Sequence, residues 1–94
     1  MYATIRSYSG SELVDALASR ESDVRQVIET IGGFRAYYLV RTTDGNTVTI
    51  SVFDDQDGAE ESTRVAATWV AENLANLAVS PPQVTTGEVS FSFI

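Results

Sequence analysis

The sequence contains no cysteine and no histidine in its 94 residues. Without cysteine, the chain has no means of forming disulfides, thiolate nucleophiles, Cys-ligated zinc sites or iron–sulfur clusters. Without histidine, it lacks the usual general base near neutral pH, the usual proximal haem ligand and the commonest metal ligand. We therefore predict a protein that works with no cofactor, and we assign no metal-binding residues.

Positive charge is also scarce in this chain. Lysine is absent, and six arginines stand against thirteen acidic residues, which gives a net charge of −7 and a pI near 4.2. Such a surface repels phosphate backbones and anionic lipid headgroups. The composition therefore predicts no nucleic-acid partner and no membrane partner, and the acidic surface serves to keep the protein soluble.

Long apolar runs are missing as well. No segment reaches the unbroken apolar length that a membrane span needs, and Met1 leads directly into a strand-like segment without a basic or apolar leader. We expect a cytoplasmic protein. The 94 residues, 44% of them apolar, suit one domain spanning residues 1–94, with a core and with apolar surface left over for a partner.

The first third of the chain has the pattern of a strand followed by a long helix. Residues 2–8 alternate between two sides, which is the period of a strand. Ser9 and Glu12 have the spacing of a capping box at the start of a helix, and Gly32-Gly33 would end that helix. The polar run at residues 19–22 predicts a bend or break within it.

A hairpin and a second helix follow. Residues 34–42 and 47–53 are dense in aromatic and β-branched side chains, and turn-forming residues stand between them at 44–46. The second helix has an apolar side that includes Trp69, and it should run to about Leu77, ahead of two prolines.

The acidic segment between the hairpin and the second helix has two interpretations. Its carboxylates precede a helix, where they complement the positive end of the helix dipole. Asp54, Asp55 and Asp57 also offer oxygen ligands for a divalent cation, although their spacing is not that of an EF-hand loop. We interpret the segment as a helix cap.

The last segment, residues 84–94, is predicted to be a fourth strand. Its apolar side chains change sides between Val84 and Val89, with Gly87 between them. A bulge or kink at Gly87 would reconcile the two halves.

The order strand, helix, strand, strand, helix, strand predicts an α+β fold. We expect a ferredoxin-like β-α-β-β-α-β sandwich, in which an antiparallel sheet carries both helices on one face. Apolar alternation in the hairpin directs one set of side chains toward the helices: Phe34, Ala36, Tyr38, Val40, Val48, Ile50 and Val52. The open face, the side without helices, would carry Thr and Ser together with Tyr37, Leu39 and Phe53. Because such a face has few charges and several rings, we predict a homodimer formed through it.

Three stretches of the sequence carry a resemblance to known proteins. They are Gly32-Gly33-Phe34 at the helix-to-strand junction, residues 51–55 at the end of the hairpin, and Ala66-Ala67-Thr68-Trp69 in the second helix. With this topology, the chain resembles the dimeric α/β-barrel superfamily, and within it the small proteins related to antibiotic-biosynthesis monooxygenases. The resemblance implies that two sheets pair into a barrel and that substrate lies between each sheet and its own helices.

The resemblance also narrows the implied chemistry. The haem-degrading branch resembles this chain at Trp69 but ligates iron through a histidine, and no histidine exists here. The branch that uses a His–Asp pair is excluded for the same reason. What the resemblance implies is a cofactor-independent, monooxygenase-like protein in which the substrate, a small aromatic molecule, itself donates electrons to oxygen. The sequence assigns no catalytic residue.

Four residues form the predicted ligand pocket. Trp69 and Asn73 are one helical turn apart and present a ring and an amide to the same space. Tyr38 from the hairpin would close that space with a phenol, and Phe34 would line it. If these rings instead fill the space between helices and sheet, no pocket is left.

Two further points stay open at this level. Arg6 or Arg35 would orient an anionic group if the strand faces are the reverse of those predicted.

The alternative function is a noncatalytic dimeric module that binds a small ligand or another protein, and a third is an assembly protein that only self-associates.

Overall fold

The chain forms a four-stranded antiparallel sheet with its helices packed against one face. In a computed structural model that describes all 94 residues, the elements are β1 (Tyr2–Tyr8), α1 (Glu12–Ala18), α2 (Glu21–Glu29), β2 (Phe34–Arg41), β3 (Thr47–Phe53), α3 (Gln56–Asn73), a 3-10 helix (Ala75–Leu77) and β4 (Gln83–Glu88). The strands lie in the order β2-β3-β1-β4. This is the ferredoxin-like α+β arrangement that the sequence predicts. None of the helices has the length and apolar character needed to cross a membrane.

The first helical region is broken where the sequence predicts it. Helix α1 ends at Ala18 and α2 begins at Glu21. The predicted capping box is wrong, because α1 begins after Ser11 and receives no side-chain cap. Gly10 adopts a positive φ of 80°, and its amide donates to Asn46 Oδ1 over 2.9 Å while its carbonyl accepts from the Thr47 hydroxyl over 2.8 Å. The turn between β1 and α1 is therefore held by hydrogen bonds to the hairpin between β2 and β3, and not by a side-chain cap at the start of α1.

Helix α3 begins with the cap that the acidic segment predicts. Asp55 is the N-cap residue, and its side chain accepts a hydrogen bond from the Gly58 amide over 2.9 Å. The helix ends at Asn73, short of the predicted Leu77, and the chain continues as the 3-10 helix. Ala78 then takes a left-handed conformation with φ of 50°, which turns the backbone away from the helix axis before the two prolines.

The predicted faces of β3 are reversed in the structure. Thr47, Thr49, Ser51 and Phe53 point toward the helices and are at most 2% exposed. The apolar side chains between them, Val48, Ile50 and Val52, lie on the open face. The rule of apolar residues inward fails because a buried arginine on β1 requires hydroxyl acceptors opposite it, and Thr49 and Ser51 supply them.

Strand β2 contains a bulge that reverses its alternation. Phe34 pairs with Phe53 but Ala36 pairs with Val52, so Arg35 is an extra residue in the ladder. Phe34 faces the helices as predicted, and its ring packs edge-on against Phe53 at 5.9 Å. Beyond the bulge the predicted orientation is wrong: Tyr37 and Leu39 turn toward the helices, whereas Ala36, Tyr38 and Val40 lie on the open face.

The fourth strand is shorter and more regular than predicted. It ends at Glu88, and its ladder with β1 runs without a register shift through Gly87, so the predicted bulge there is wrong. Val89 still donates its amide to the Met1 carbonyl over 2.9 Å. The chain end beyond it leaves the sheet, and Phe91 and Phe93 are 75% and 91% exposed.

Two apolar clusters form the core between the sheet and the helices. One contains Tyr8, Leu13, Leu17 and Leu74, and the other contains Ile28, Phe53 and Ala59. Tyr8 and Tyr2 stand at opposite ends of β1 and pack into different clusters. The polar residues Thr4 and Arg6 occupy the helix-facing positions of β1 between the two ends, so the core is divided by a polar layer.

Close contact between α3 and the preceding segment gives a first prediction. A Cβ added at Gly58 would lie 2.9 Å from the Gly32 carbonyl and 3.1 Å from the Phe53 side chain. Because the backbone has to shift to relieve this overlap of the added Cβ with its neighbours, Gly58→Ala should lower the free energy of unfolding by about 1–3 kcal/mol in urea titrations. Gly32→Ala, whose Cβ would meet nothing within 4 Å, is the control and should be close to neutral. Equal stability of the two variants would contradict the contact.

Candidate functional site

The polar layer of the core is built around the guanidinium of Arg6, which is 1% exposed. Alternation along β1 directs this side chain toward α3. Its Nε donates to Thr49 over 3.1 Å and its Nη2 to Ser51 over 2.8 Å, both on β3. Its Nη1 donates to Ser62 over 3.1 Å and to Thr63 over 3.3 Å, both on α3. Hydroxyl groups from two elements therefore hold the arginine in place, and Tyr8 adds a further side-chain hydrogen bond.

Arg6 has no carboxylate partner. Each of the other arginines forms a salt bridge: Arg20 with Asp23, Arg25 with Glu29, Arg35 with Asp54, Arg41 with Asp15, and Arg64 with Glu61. All five of those pairs are solvent-exposed, so the one buried arginine is also the one unpaired arginine. Burial lowers the pKa of Arg6 from its ordinary value, but a guanidinium stays protonated at neutral pH even so. The interior thus contains an uncompensated positive charge.

Two phenols stand beside this charge. Burial raises the pKa of Tyr8, and the neighbouring Arg6 offsets part of that rise. Burial likewise raises the pKa of Tyr37, against the opposing effects of Arg6 and of a hydrogen bond with Thr49. Both phenols are therefore neutral at physiological pH and keep an O–H group that can donate to a ligand.

A small void adjoins this polar cluster. The inner void has a volume of about 30 Å³, close to the share of one water molecule in the liquid. Its polar wall comes from Arg6, Tyr8, Tyr37 and Thr49, and its apolar wall from α1, α2 and α3, including Trp69. The arrangement offers hydrogen-bond donors on one side and apolar surface on the other.

A larger groove leads toward the inner void from outside. The outer groove, of about 560 Å³, lies between β2 and the two short helices α1 and α2. Four residues line both spaces, so the groove and the inner void adjoin: Leu17, Val24, Ile28 and Tyr37. On the other side of Arg6, a cleft of about 410 Å³ lies between α3 and β4. The buried arginine thus lines both the inner void and this cleft.

The structure brings together some of the predicted pocket residues and separates others. Trp69 lines the inner void. Phe34 and Tyr38 line the outer groove, although Tyr38 does so from the open face and is 56% exposed. Asn73 lies outside both spaces: its amide nitrogen donates to the Trp69 carbonyl over 3.0 Å, and its amide oxygen accepts from Arg20 over 3.3 Å.

Trp69 is held between the interior and the surface. The Arg20 guanidinium lies over the indole ring, 5.3 Å from its centroid, which is a cation–π arrangement. Arg20 also bridges to Asp23 and Asn73, so the end of α3 and the start of α2 are joined by polar contacts across the ring. Trp69 also lines a surface depression of about 320 Å³ together with Asn73, so these two predicted residues share a space on the outer side of α3 while Trp69 alone reaches the void.

Sequence reasoning missed the phenols and hydroxyls of this site. Arg6 entered only conditionally, and Tyr8, Tyr37 and Thr49 were not predicted to lie in a pocket. The sequence did contain a signal, in the alternating patterns Thr4-x-Arg6-x-Tyr8 and Thr47-x-Thr49-x-Ser51. Because β1 and β3 pair, Arg6 on one strand faces the three hydroxyl residues of the other. The alternating Val48, Ile50 and Val52 led instead to the prediction that the hydroxyl side of β3 faces away from the helices.

Comparisons with known proteins find the fold but no close relative. No protein-family model matches the sequence, and a search of curated proteins finds no match. Among solved structures, a variant of SnoaB, a cofactor-independent oxygenase from Streptomyces nogalater, is 17% identical with a TM-score of 0.67, and the match covers 97% of this chain and 94% of that one. A monooxygenase from Streptomyces coelicolor in complex with Nanaomycin D is 15% identical with a TM-score of 0.71, over 99% and 90% of the two chains.

A third similar structure binds a porphyrin. MhuD with two manganese protoporphyrin IX molecules bound per active site is 14% identical to this chain with a TM-score of 0.75, over 99% and 98% of the two chains. At these identities the matches show a shared fold. The resemblance to monooxygenase-related barrel proteins that the sequence suggests is confirmed as a likeness of fold across nearly the whole chain.

Alkaline pH should destabilise the protein through Tyr8 and Tyr37. Their folded-state pKa values lie above the ordinary value of 10.0, so the unfolded chain loses these protons first. The free energy of unfolding should hold below about pH 10 and fall as the pH rises further. Urea titrations between about pH 8 and about pH 11 measure this fall. The double variant Tyr8→Phe, Tyr37→Phe should flatten it, whereas Tyr2→Phe should not; an unchanged slope in the double variant would contradict the assignment.

Proposed function

We propose that this protein is a homodimeric, cofactor-independent monooxygenase-like enzyme that binds a small aromatic substrate between its sheet and its helices. We place this activity in the cytoplasm, as the sequence predicts. The observation that carries the proposal is the apolar groove that leads to a void containing one unpaired cation and two neutral phenols. The likeness of fold to a cofactor-independent oxygenase and to a monooxygenase supports it.

The dimensions of the outer groove support an aromatic substrate. Its volume of about 560 Å³ lies within the range of about 300–1,000 Å³ that small-molecule sites occupy. Nine of its twelve lining residues are hydrophobic, and Phe34 and Tyr37 are among them. Apolar walls with few, convergent polar groups are what a planar ring with one or two oxygen substituents needs.

The polar end of the site supports chemistry on a phenol. A phenol and O₂ can give a quinone and water, with the substrate supplying all the electrons and one oxygen atom leaving in the water, so no external reductant is needed. Such a reaction requires a group that promotes loss of the phenolic proton and a site shielded from water. Tyr8 and Tyr37 offer neutral O–H donors at the void, and Phe34 offers a ring in the outer groove against which an aromatic substrate packs.

Oxygen consumption tests this proposal. A panel of mono- and polyhydroxylated aromatic compounds should include substrates that consume oxygen in the presence of the protein, with a quinone formed for each O₂ used. Tyr37→Phe keeps the ring and removes the phenol, so it should lower turnover by about 10²-fold. Tyr2→Phe, which removes a phenol outside the void, should keep the wild-type rate.

The outcome separates the enzyme from the noncatalytic alternative. Thermal stabilisation by panel compounds without oxygen uptake would contradict the enzyme and support a small-ligand-binding module. Circular dichroism should show that each variant is folded, so that a lost rate reports on the site. Turnover in Tyr37→Phe equal to that of the wild type would contradict the role given to this phenol.

The homodimer is proposed to form through the open face, as the sequence predicts. The residues on that face differ from the predicted ones because the faces of β3 and of most of β2 are reversed. Its central row is Tyr38, Ile50, Ile5 and Thr85, one from each strand. The other side chains on this face are Ala3, Ser7, Ala36, Val40, Val48, Val52 and Gln83. None of them is charged, in a chain with a net charge of −7. A wide uncharged face that no element of the chain covers fits a second copy better than water.

Sedimentation velocity tests the dimer. Wild-type protein should sediment as a dimer at micromolar concentration, and Ile50→Asp should sediment as a folded monomer because it buries two unpaired carboxylates at a symmetric interface. Ala75→Asp, at an exposed position of the 3-10 helix, adds the same charge away from the sheet and should leave the dimer intact. A monomeric wild-type protein would contradict the proposal.

A further inference from the structure

The unpaired Arg6 specifies the charge of the ligand. We propose that the substrate is bound as a phenolate, with its ionised oxygen in the inner void as the counter-charge of Arg6. This inference rests on the proposed function, since the inner void is the deep end of the same site. It goes further by naming the ionisation state and the single atom that the site recognises.

The pairing of charges within the chain supports a ligand anion as the partner of Arg6. The chain has thirteen acidic residues, and each of the five exposed arginines forms a salt bridge with a different one. None of the thirteen pairs with Arg6, the one arginine that is removed from water. The hydroxyls of Thr49, Ser51, Ser62 and Thr63 solvate the guanidinium but carry no charge to neutralise it. A buried charge without a counter-charge is unfavourable. A ligand anion would remove that penalty at the moment of binding.

The donors around the inner void fit a phenolate oxygen. The void's volume of about 30 Å³ has room for a group of the size of a water molecule. Around this space stand the Arg6 guanidinium and the phenols of Tyr8 and Tyr37, all of which can donate to an oxygen anion. No carboxylate lines the void. The ring of the ligand would then extend outward, past Leu17, Val24 and Ile28, into the outer groove.

A dye that changes colour on ionisation reports the bound charge directly. 4-Nitrophenol is yellow as the phenolate and colourless as the phenol, and 4-nitroanisole is its methyl ether, which does not ionise. Bound to the wild-type protein, 4-nitrophenol should titrate at least about one pH unit below the free dye, because a nearby cation favours the anion. 4-Nitroanisole should bind at least about tenfold more weakly. Glu21, Arg25 and Glu29 at the groove are the other charged groups that face the ligand.

Charge removal at Arg6 is the first variant. Arg6→Met keeps most of the side-chain length and removes the charge, so the bound dye should titrate like the free dye. Arg64→Met removes an exposed arginine of α3 that pairs with Glu61, and it should preserve the wild-type titration. An unchanged titration in Arg6→Met would overturn the inference.

A matched pair of alanines tests the location while Arg6 stays in place. Ala66 lines the inner void, and Ala67, the next residue of α3, lines the cleft on the other side of Arg6. Ala66→Leu should fill the void and abolish phenolate binding, whereas Ala67→Leu should leave it unchanged. The opposite result would overturn the proposed position of the oxygen.

The outcomes distinguish this inference from the proposed function. Equal binding of 4-nitrophenol and 4-nitroanisole, with no change in the dye's titration, would overturn the phenolate inference and leave an aromatic-binding oxygenase standing. Preferred phenolate binding with no oxygen uptake from any phenol would overturn the oxygenase and support the inference. Failure of both dyes to bind would overturn the two together.

Discussion

Burial of the Arg6 guanidinium among hydroxyl groups is the constraint on which the rest of this structure depends. A guanidinium removed from water must have its N–H groups accepted, and here the acceptors come from β3 and α3 together. Thr49 and Ser51 therefore face the helices, which forces the aliphatic residues between them to the opposite side. The same contacts join α3 to the sheet, so one side chain sets both the face of β3 and the docking of the longest helix.

The consequence is a sheet whose two sides differ in character. Its helix-facing side is mixed, with a polar layer between two apolar clusters. Its open face is uniformly uncharged and largely aliphatic, and the bulge at Arg35 completes that face by turning Tyr38 and Val40 onto it. A largely aliphatic face that no element of the chain covers is consistent with the proposed second copy of the protein packed on it.

The same constraint links the fold to its chemistry. Phenols and an arginine that share a water-poor interior keep defined protonation states, with Tyr8 and Tyr37 neutral and Arg6 charged. Similar folds include a cofactor-independent oxygenase, a monooxygenase and a porphyrin-binding protein, so the scaffold itself does not choose the reaction. What this chain brings to the scaffold is a buried arginine beside two neutral phenols, and it contains no histidine or cysteine.

The sequence by itself determined the element order, the break near Ser19, the Asp55 cap and the α+β class, because periodicity, turn residues and capping act over a few neighbouring positions. It also determined that chemistry based on His and Cys is excluded. Tertiary structure decided which side of each strand faces the helices, where the bulge lies, and that Trp69 lines the void while Asn73 stays outside. Alternation shows that a strand has two sides, but not which one faces the helices when the aliphatic side does not. That choice was made by Arg6, through partners that are 43 to 57 residues away along the chain.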